Sequence, residues 1–216
     1  SHPLYNPALN YSSYLTFPYF WVLFQILILL NIAYSFGNEF NDKRKIAECL
    51  KTGNDKFVNV ILGKLTPYIL IFTSIAIFAN VLMFDIMDFD LHSKITSMIT
   101  ICFLFIMATC SISLFLFSIY SHLPIIISFI SMFGSLGATF AGVTFPVNAM
   151  YPFAEKISFF FPIRHFVVIT DYLRYESHAF SYCWKQVLIL ISFNILIFAS
   201  LLLLKNKYFK QRALSK

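Results

Sequence analysis

Few residues in this chain have the type and spacing that chemistry demands. Gly63-Lys64 would end a phosphate-binding loop, in which backbone amides and a lysine cradle phosphates, but Val58 stands where that loop needs its first glycine. Ser135 in FGSLG would be a nucleophile on a tight turn, but Phe133 replaces the glycine that such a turn requires. There is no HExxH, and His2, His92, His122, His165 and His178 are scattered, mostly near the ends of apolar runs. Cys49, Cys102, Cys110 and Cys183 show no CxxC spacing, which gives little support to a metal site or a disulfide framework. Cys102 and Cys110 could share one helix face, where a cysteine is ordinarily a small apolar packing residue. No catalytic residue, no metal ligand and no cofactor bound by this chain is expected.

What remains are neutral polar residues inside apolar runs: Gln25, Asn31, Thr73, Asn80, Thr100, Thr109, Thr139 and Asn194. The elements that position them are set by composition. The chain has 216 residues, of which 59% are hydrophobic, 19% aromatic and only 12% charged. Soluble domains are about a quarter charged. No Asp, Glu, Lys or Arg occurs over 1–38 or over 95–154. Lipid must therefore solvate much of this surface, and lipid permits only structures whose backbone groups bond internally. The expected class is an all-α polytopic membrane protein.

Five runs have the roughly 20 apolar residues that a crossing needs: about 18–36, 65–84, 95–120, 123–145 and 186–204. A buried carboxylate or lysine, the usual mark of an ion path, is expected in none of them. Any energy for transport would have to arrive from elsewhere. The connection 38–64 and the C-terminal tail hold eleven basic residues, Lys43, Arg44, Lys45, Lys51, Lys56, Lys64, Lys205, Lys207, Lys210, Arg212 and Lys216. The alternate connections hold five, Lys94, Lys156, Arg164, Arg174 and Lys185. The positive-inside rule then places 38–64 and the C-terminus in the cytoplasm, and 85–94 and 146–185 outside. The same clustering beside apolar spans argues against a nucleic-acid partner. Five crossings leave the N-terminus outside with no signal peptide before it, so an upstream helix entering from the cytoplasm is expected.

Two connections are more than loops. Residues 39–53 place Phe40, Ala47 and Leu50 near one helical face, with charges on the others and Gly53 as a stop. This reads as an amphipathic helix lying on lipid or on a cytoplasmic partner. Residues 146–163 are too apolar for an exposed loop and too short to span, and Pro146, Pro152 and Pro162 punctuate them. They read as a re-entrant pair of half-helices, broken at Pro152, with Glu155 and Lys156 facing water. In the fourth span Gly134, Ala138 and Gly142 share a face on which another backbone can approach closely. That face can serve packing within one chain, a contact between copies, or a pathway wall.

Three stretches resemble the ABC-2 permease family, the membrane subunits of ABC exporters. They are LYNPALNYSSYL before the first span, the segment from Glu39 through KTGNDKF into ILGKLTPY, and FAGVTFPVNAMYPFAEKISFFFPIRHF. One departure is Arg44-Lys45-Ile46, where many members carry a Gly-Thr pair. The resemblance implies six helices with an extracytoplasmic domain between the first two, so that this chain holds helices two to six. It implies a multi-pass protein of the bacterial inner membrane, working as a dimer with a second or homologous permease copy. Power would come from separate ATP-binding subunits, which hold the ATP and Mg. By that resemblance, 39–53 is a coupling helix in which Glu39, Lys43, Arg44, Lys45, Glu48 and Lys51 orient the partner and Leu50 anchors it. Gln25, Asn31 and Thr139 are pathway candidates, and Pro146, Pro152, Glu155 and Pro162 shape the exit. The competing reading is a non-transporting membrane subunit with a structural or assembly role.

Overall fold

The computed structural model describes residues 11–40, 43–53, 57–87, 91, 93–120, 122–142, 151–175 and 179–213. Among them every regular element is a helix. In order these are α1 (Tyr11–Phe40), α2 (Lys43–Thr52), α3 (Phe57–Val81), α4 (Ile95–Tyr120), α5 (Leu123–Phe140), α6 (Pro152–Ser158), α7 (Pro162–Tyr175), α8 (Ala179–Ser192) and α9 (Ile195–Ala213). A π-helical turn, Leu82–Ile86, extends α3. Five segments are long and apolar enough to cross a membrane: Leu15–Phe40, Phe57–Ile86, Ile95–Tyr120, Leu123–Phe140 and Cys183–Lys205.

The most enclosed span is α4, with α1, α3, α7 and α9 packed round it. Phe105 of α4 stacks on Phe166 of α7 with centroids 4.3 Å apart, and Trp21 of α1 meets the same ring at 5.0 Å. Between these apolar contacts the helices are joined by small polar side chains. Ser113 donates to the Leu29 carbonyl across the α4–α1 contact at 2.7 Å, and Asn80 of α3 reaches Cys102 Sγ of α4 at 3.4 Å. Other hydroxyls bond their own helix one turn back, as Thr109 does to Phe105 and Thr66 to Leu62. Such bonds let a polar group sit in hydrocarbon without an orphaned donor.

The span ends differ from the sequence expectation. α1 continues through Glu39 to Phe40, and α3 begins eight residues earlier than expected, at Phe57, so that it contains Lys64. Both spans thus carry a charge where none was expected, and the two charges lie together. The fourth span closes at Phe140 and the chain turns at Gly142, whose φ of 88° is left-handed and favours glycine. The last span is broken at Phe193–Asn194, where the amides of Asn194 and Ile197 bond three residues back. Across the break, the Asn194 side chain meets Ser111 of α4 at 3.4 Å.

Candidate functional site

At one end of the bundle α2 lies against α1, α3 and α9. Ile46 holds it there, 1% exposed, while Arg44, Lys45, Glu48 and Lys51 are exposed. The side chains of Lys43 and Leu50 lie outside the described part of the structure. Gly53 N–H bonds the Cys49 carbonyl at 2.9 Å and closes the helix. The two ends of the neighbouring spans are locked beside it. Lys64 Nζ lies 2.6 Å from Glu39 Oε2, donates to the Ser35 carbonyl at 2.6 Å, and sits 4.4 Å from the Phe36 ring centroid. The two side chains are only 13% and 25% exposed, so the pair is mostly shielded from water. Cys49 of α2 packs beside the same carboxylate, and burial, then Glu39, holds its thiol pKa above the usual value. Glu39 is therefore shared between α1, α2 and α3. Sequence reasoning found Glu39 and missed Lys64 and Ile46. In sequence Lys64 reads only as loop charge, because a lysine ends an apolar run on any hydropathy reading.

The small-residue stripe of α5 resolves into separate jobs. A side chain at Gly134 would put its Cβ 2.6 Å from Ile26 of α1, so glycine is what lets the two helices touch. Leu123 meets Gly37 of α1 in the same way. At Gly137 a Cβ would rest 3.5 Å from Phe161 and Ile163. Ala138 is half-buried against the core, and Gly142 forms the turn after the helix.

Gln25 is 2% exposed, its amide within 4.0 Å of the site of that Gly137 Cβ, so it faces inward. Asn31 and Thr139 are exposed. They belong to two stripes. On α1 the exposed positions are Thr16, Tyr19, Leu23, Leu27, Asn31, Tyr34 and Asn38, and on α5 they include Ser128, Ser131, Ser135 and Thr139. The contacts Gly37–Leu123 and Ile26–Gly134 make the helices antiparallel, and the handedness of the α-helix then turns both stripes to the same side. Asn31 donates one amide hydrogen to Leu27 O at 2.8 Å, and the α5 hydroxyls bond carbonyls three or four residues back. Sequence reasoning weighed Ser135 only as a nucleophile and did not single out Ser128 and Ser131, although the spacing of all three with Thr139 is helical.

At the other end, Pro152 opens α6 and Pro162 opens α7, with a turn at Phe159–Phe160 between them. Pro146 lies outside the described residues. Glu155 is partly exposed and Lys156 exposed. Arg164 and Arg174, expected as outer loop charges, are instead buried. The Arg174 guanidinium lies 4.8 Å from the Phe17 ring centroid, and Ser93 N–H caps Leu173 O at 3.0 Å. Beside them burial pushes the Asp171 carboxyl up to about 7, with Arg174 pulling it down. Among the described residues no three His, Cys, Asp or Glu side chains gather as a metal site would require.

Five apolar spans, a short helix locked to the ends of two of them and a polar-studded outer face define a multi-pass helical membrane protein. Over residues 1–204 the chain matches the family described as ABC-2 family transporter protein, and it belongs to that family. No curated protein and no solved structure matches it.

Proposed function

We propose that this chain is the permease subunit of an ATP-driven exporter of the bacterial inner membrane, in which two permease copies enclose the substrate path between their α1–α5 faces. One observation carries this reading: α1 and α5 present Asn31, Tyr34, Ser128, Ser131, Ser135 and Thr139 on one exposed side. An amide turned to hydrocarbon without full hydrogen bonding costs about 2 kcal/mol or more. The α5 hydroxyls bond their own helix, but the Asn31 side chain has only its bond to Leu27 O among the described residues, so this face is better matched by a second protein surface and the water and cargo between them.

The energy comes from separate ATP-binding subunits, which hold ATP and Mg. The exposed charges of α2, Arg44, Lys45, Glu48 and Lys51, orient that partner, and Ile46 roots the helix in the bundle. A push on α2 then passes through Glu39 and Lys64 into α1 and α3, and α1 carries one wall of the path. At the far end α6 and α7 form the re-entrant exit. Their backbone is sheltered by α5, where Phe161 and Ile163 pack beside Gly137.

The test is reconstitution of the chain with its ATP-binding subunit in proteoliposomes. ATP hydrolysis stimulated by cargo is expected, and reversing Lys45 and Lys51 to Glu should weaken complex assembly while leaving membrane insertion intact. Assembly and hydrolysis unchanged by that double reversal would contradict the docking role of α2.

A further inference from the structure

We propose that the α6–α7 corner is a binding site for the phosphodiester headgroup of a membrane phospholipid, with Arg164 as its anion ligand. The inference is independent of the export reading. Arg164 is 7% exposed, yet its Nε and Nη1 have no hydrogen-bond acceptor among the described residues. Its guanidinium carbon sits 4.0 Å from the Phe159 ring centroid. The nearest acid, Glu155, places Oε1 3.9 Å from Nη2, beyond hydrogen-bond length, and its side chain is 47% exposed. The neighbouring His165 adds no second positive charge and no anion: its Nε2 lies 3.1 Å from Phe159 O, and burial pushes its pKa down to about 4, so it is neutral. Arginine stays protonated in such a place, and a buried guanidinium without close partners is costly.

Nε and Nη1 lie on different edges of the guanidinium, so an anion that offers several oxygens is the chemistry that satisfies them, and phosphate is the common one. Arg164 also stands in the first turn of the 14-residue α7, where the helix dipole favours negative charge. The surroundings select a lipid as the source. Tyr151, Phe153, Phe159 and Phe160 all expose large aromatic surfaces around the corner, and Lys156 is exposed beside them. Rings of this kind settle at the boundary between headgroups and acyl chains, the depth at which lipid phosphates lie.

The experiment is native mass spectrometry of the full chain released from phosphatidylglycerol nanodiscs, with retained phospholipid counted per chain. The wild type should retain a lipid that Arg164→Gln loses by about tenfold or more, the scale of charged hydrogen bonds. Glu155→Gln should raise retention, because a carboxylate beside the guanidinium competes with phosphate. Equal retention by wild type and Arg164→Gln would overturn the proposal. So would unchanged retention in Glu155→Gln together with a lowered melting temperature, since Glu155 would then be the true partner of Arg164. Displacement of the lipid by inorganic phosphate in solution would overturn the lipid assignment. The Glu155→Gln arm keeps the test decisive if Arg164→Gln fails to fold.

Discussion

Lys64 and Glu39, 25 positions apart in sequence, meet at 2.6 Å where α3 passes the end of α1. The carboxylate also touches Cys49 of α2, so one acid ties three helices at the end of the bundle. Removing either charge leaves the other partly buried and unpaired, which costs about 1–3 kcal/mol at this degree of exposure. Glu39→Gln and Lys64→Met should each lower the melting temperature in detergent, and a double-mutant cycle should return a coupling of about 1 kcal/mol or more. In the reconstituted complex both single variants should hydrolyse ATP with less transport per ATP. Additive stabilities and unchanged transport per ATP would remove the pair from the coupling route.

Gly134 sets the distance between α1 and α5. A methyl there would meet Ile26 at 2.6 Å, so Gly134→Ala should destabilise by about 1–3 kcal/mol through overpacking. Adding Ile26→Ala should restore most of that loss, and Gly134→Leu should be worse than either. Gly63 provides the contrast, for a Cβ there meets nothing within 4 Å. Gly63→Ala should be neutral or stabilising by up to about 1 kcal/mol, the helix-propensity difference. Thermal unfolding of the four variants checks the pattern, and an unrescued Gly134→Ala would show that the contact with Ile26 does not decide the spacing.

The spans were legible because apolar runs in lipid have no alternative to helix, but their ends were not. The first expected span stopped near Phe36 and the second began near Leu65, since Glu39 and Lys64 look like loop charges when each is read alone. Pairing removes that cost, and pairing is a tertiary fact. The break at Asn194 was hidden for a similar reason, because the Ser111 hydroxyl that meets it lies on another helix. On α5 the spacing of Gly134 and Ala138 did show a close-approach face, yet spacing could not say which helix would approach. Arg164 and Arg174 read as outer loop charges because charges between spans usually are, and aromatic rings that bury them leave no local mark in sequence.

The Asp171 carboxyl, raised to about 7 by burial with Arg174 opposing, gives a pH dependence of definite sign. A raised pKa disfavours the charged form in the folded state. The contribution is therefore fully present below about 3.8 and is lost as pH rises through about 7. Wild-type melting temperature should fall between pH 5 and pH 8 by more than that of Asp171→Asn. Parallel curves for the two proteins would remove Asp171 as the source.

The charge asymmetry between the two ends makes a topological prediction. A cysteine replacing the exposed Thr52 should react with an impermeant maleimide only from the cytoplasmic side. One replacing the exposed Tyr151 should react only from outside. Labelling of both from one side would contradict the number of crossings between them.

The central claim, a path between two copies lined by α1 and α5, is tested most directly by cross-linking at Asn31. In proteoliposomes containing the ATP-binding subunit, with Cys49 replaced by Ser, an Asn31→Cys variant is treated with a short bis-maleimide, and Phe198→Cys on the exposed face of α9 serves as the comparison. The account predicts that Asn31→Cys joins copy to copy and stops transport while Phe198→Cys stays monomeric and active. Copy-to-copy cross-links through Phe198→Cys, with Asn31→Cys monomeric and transporting, would contradict it.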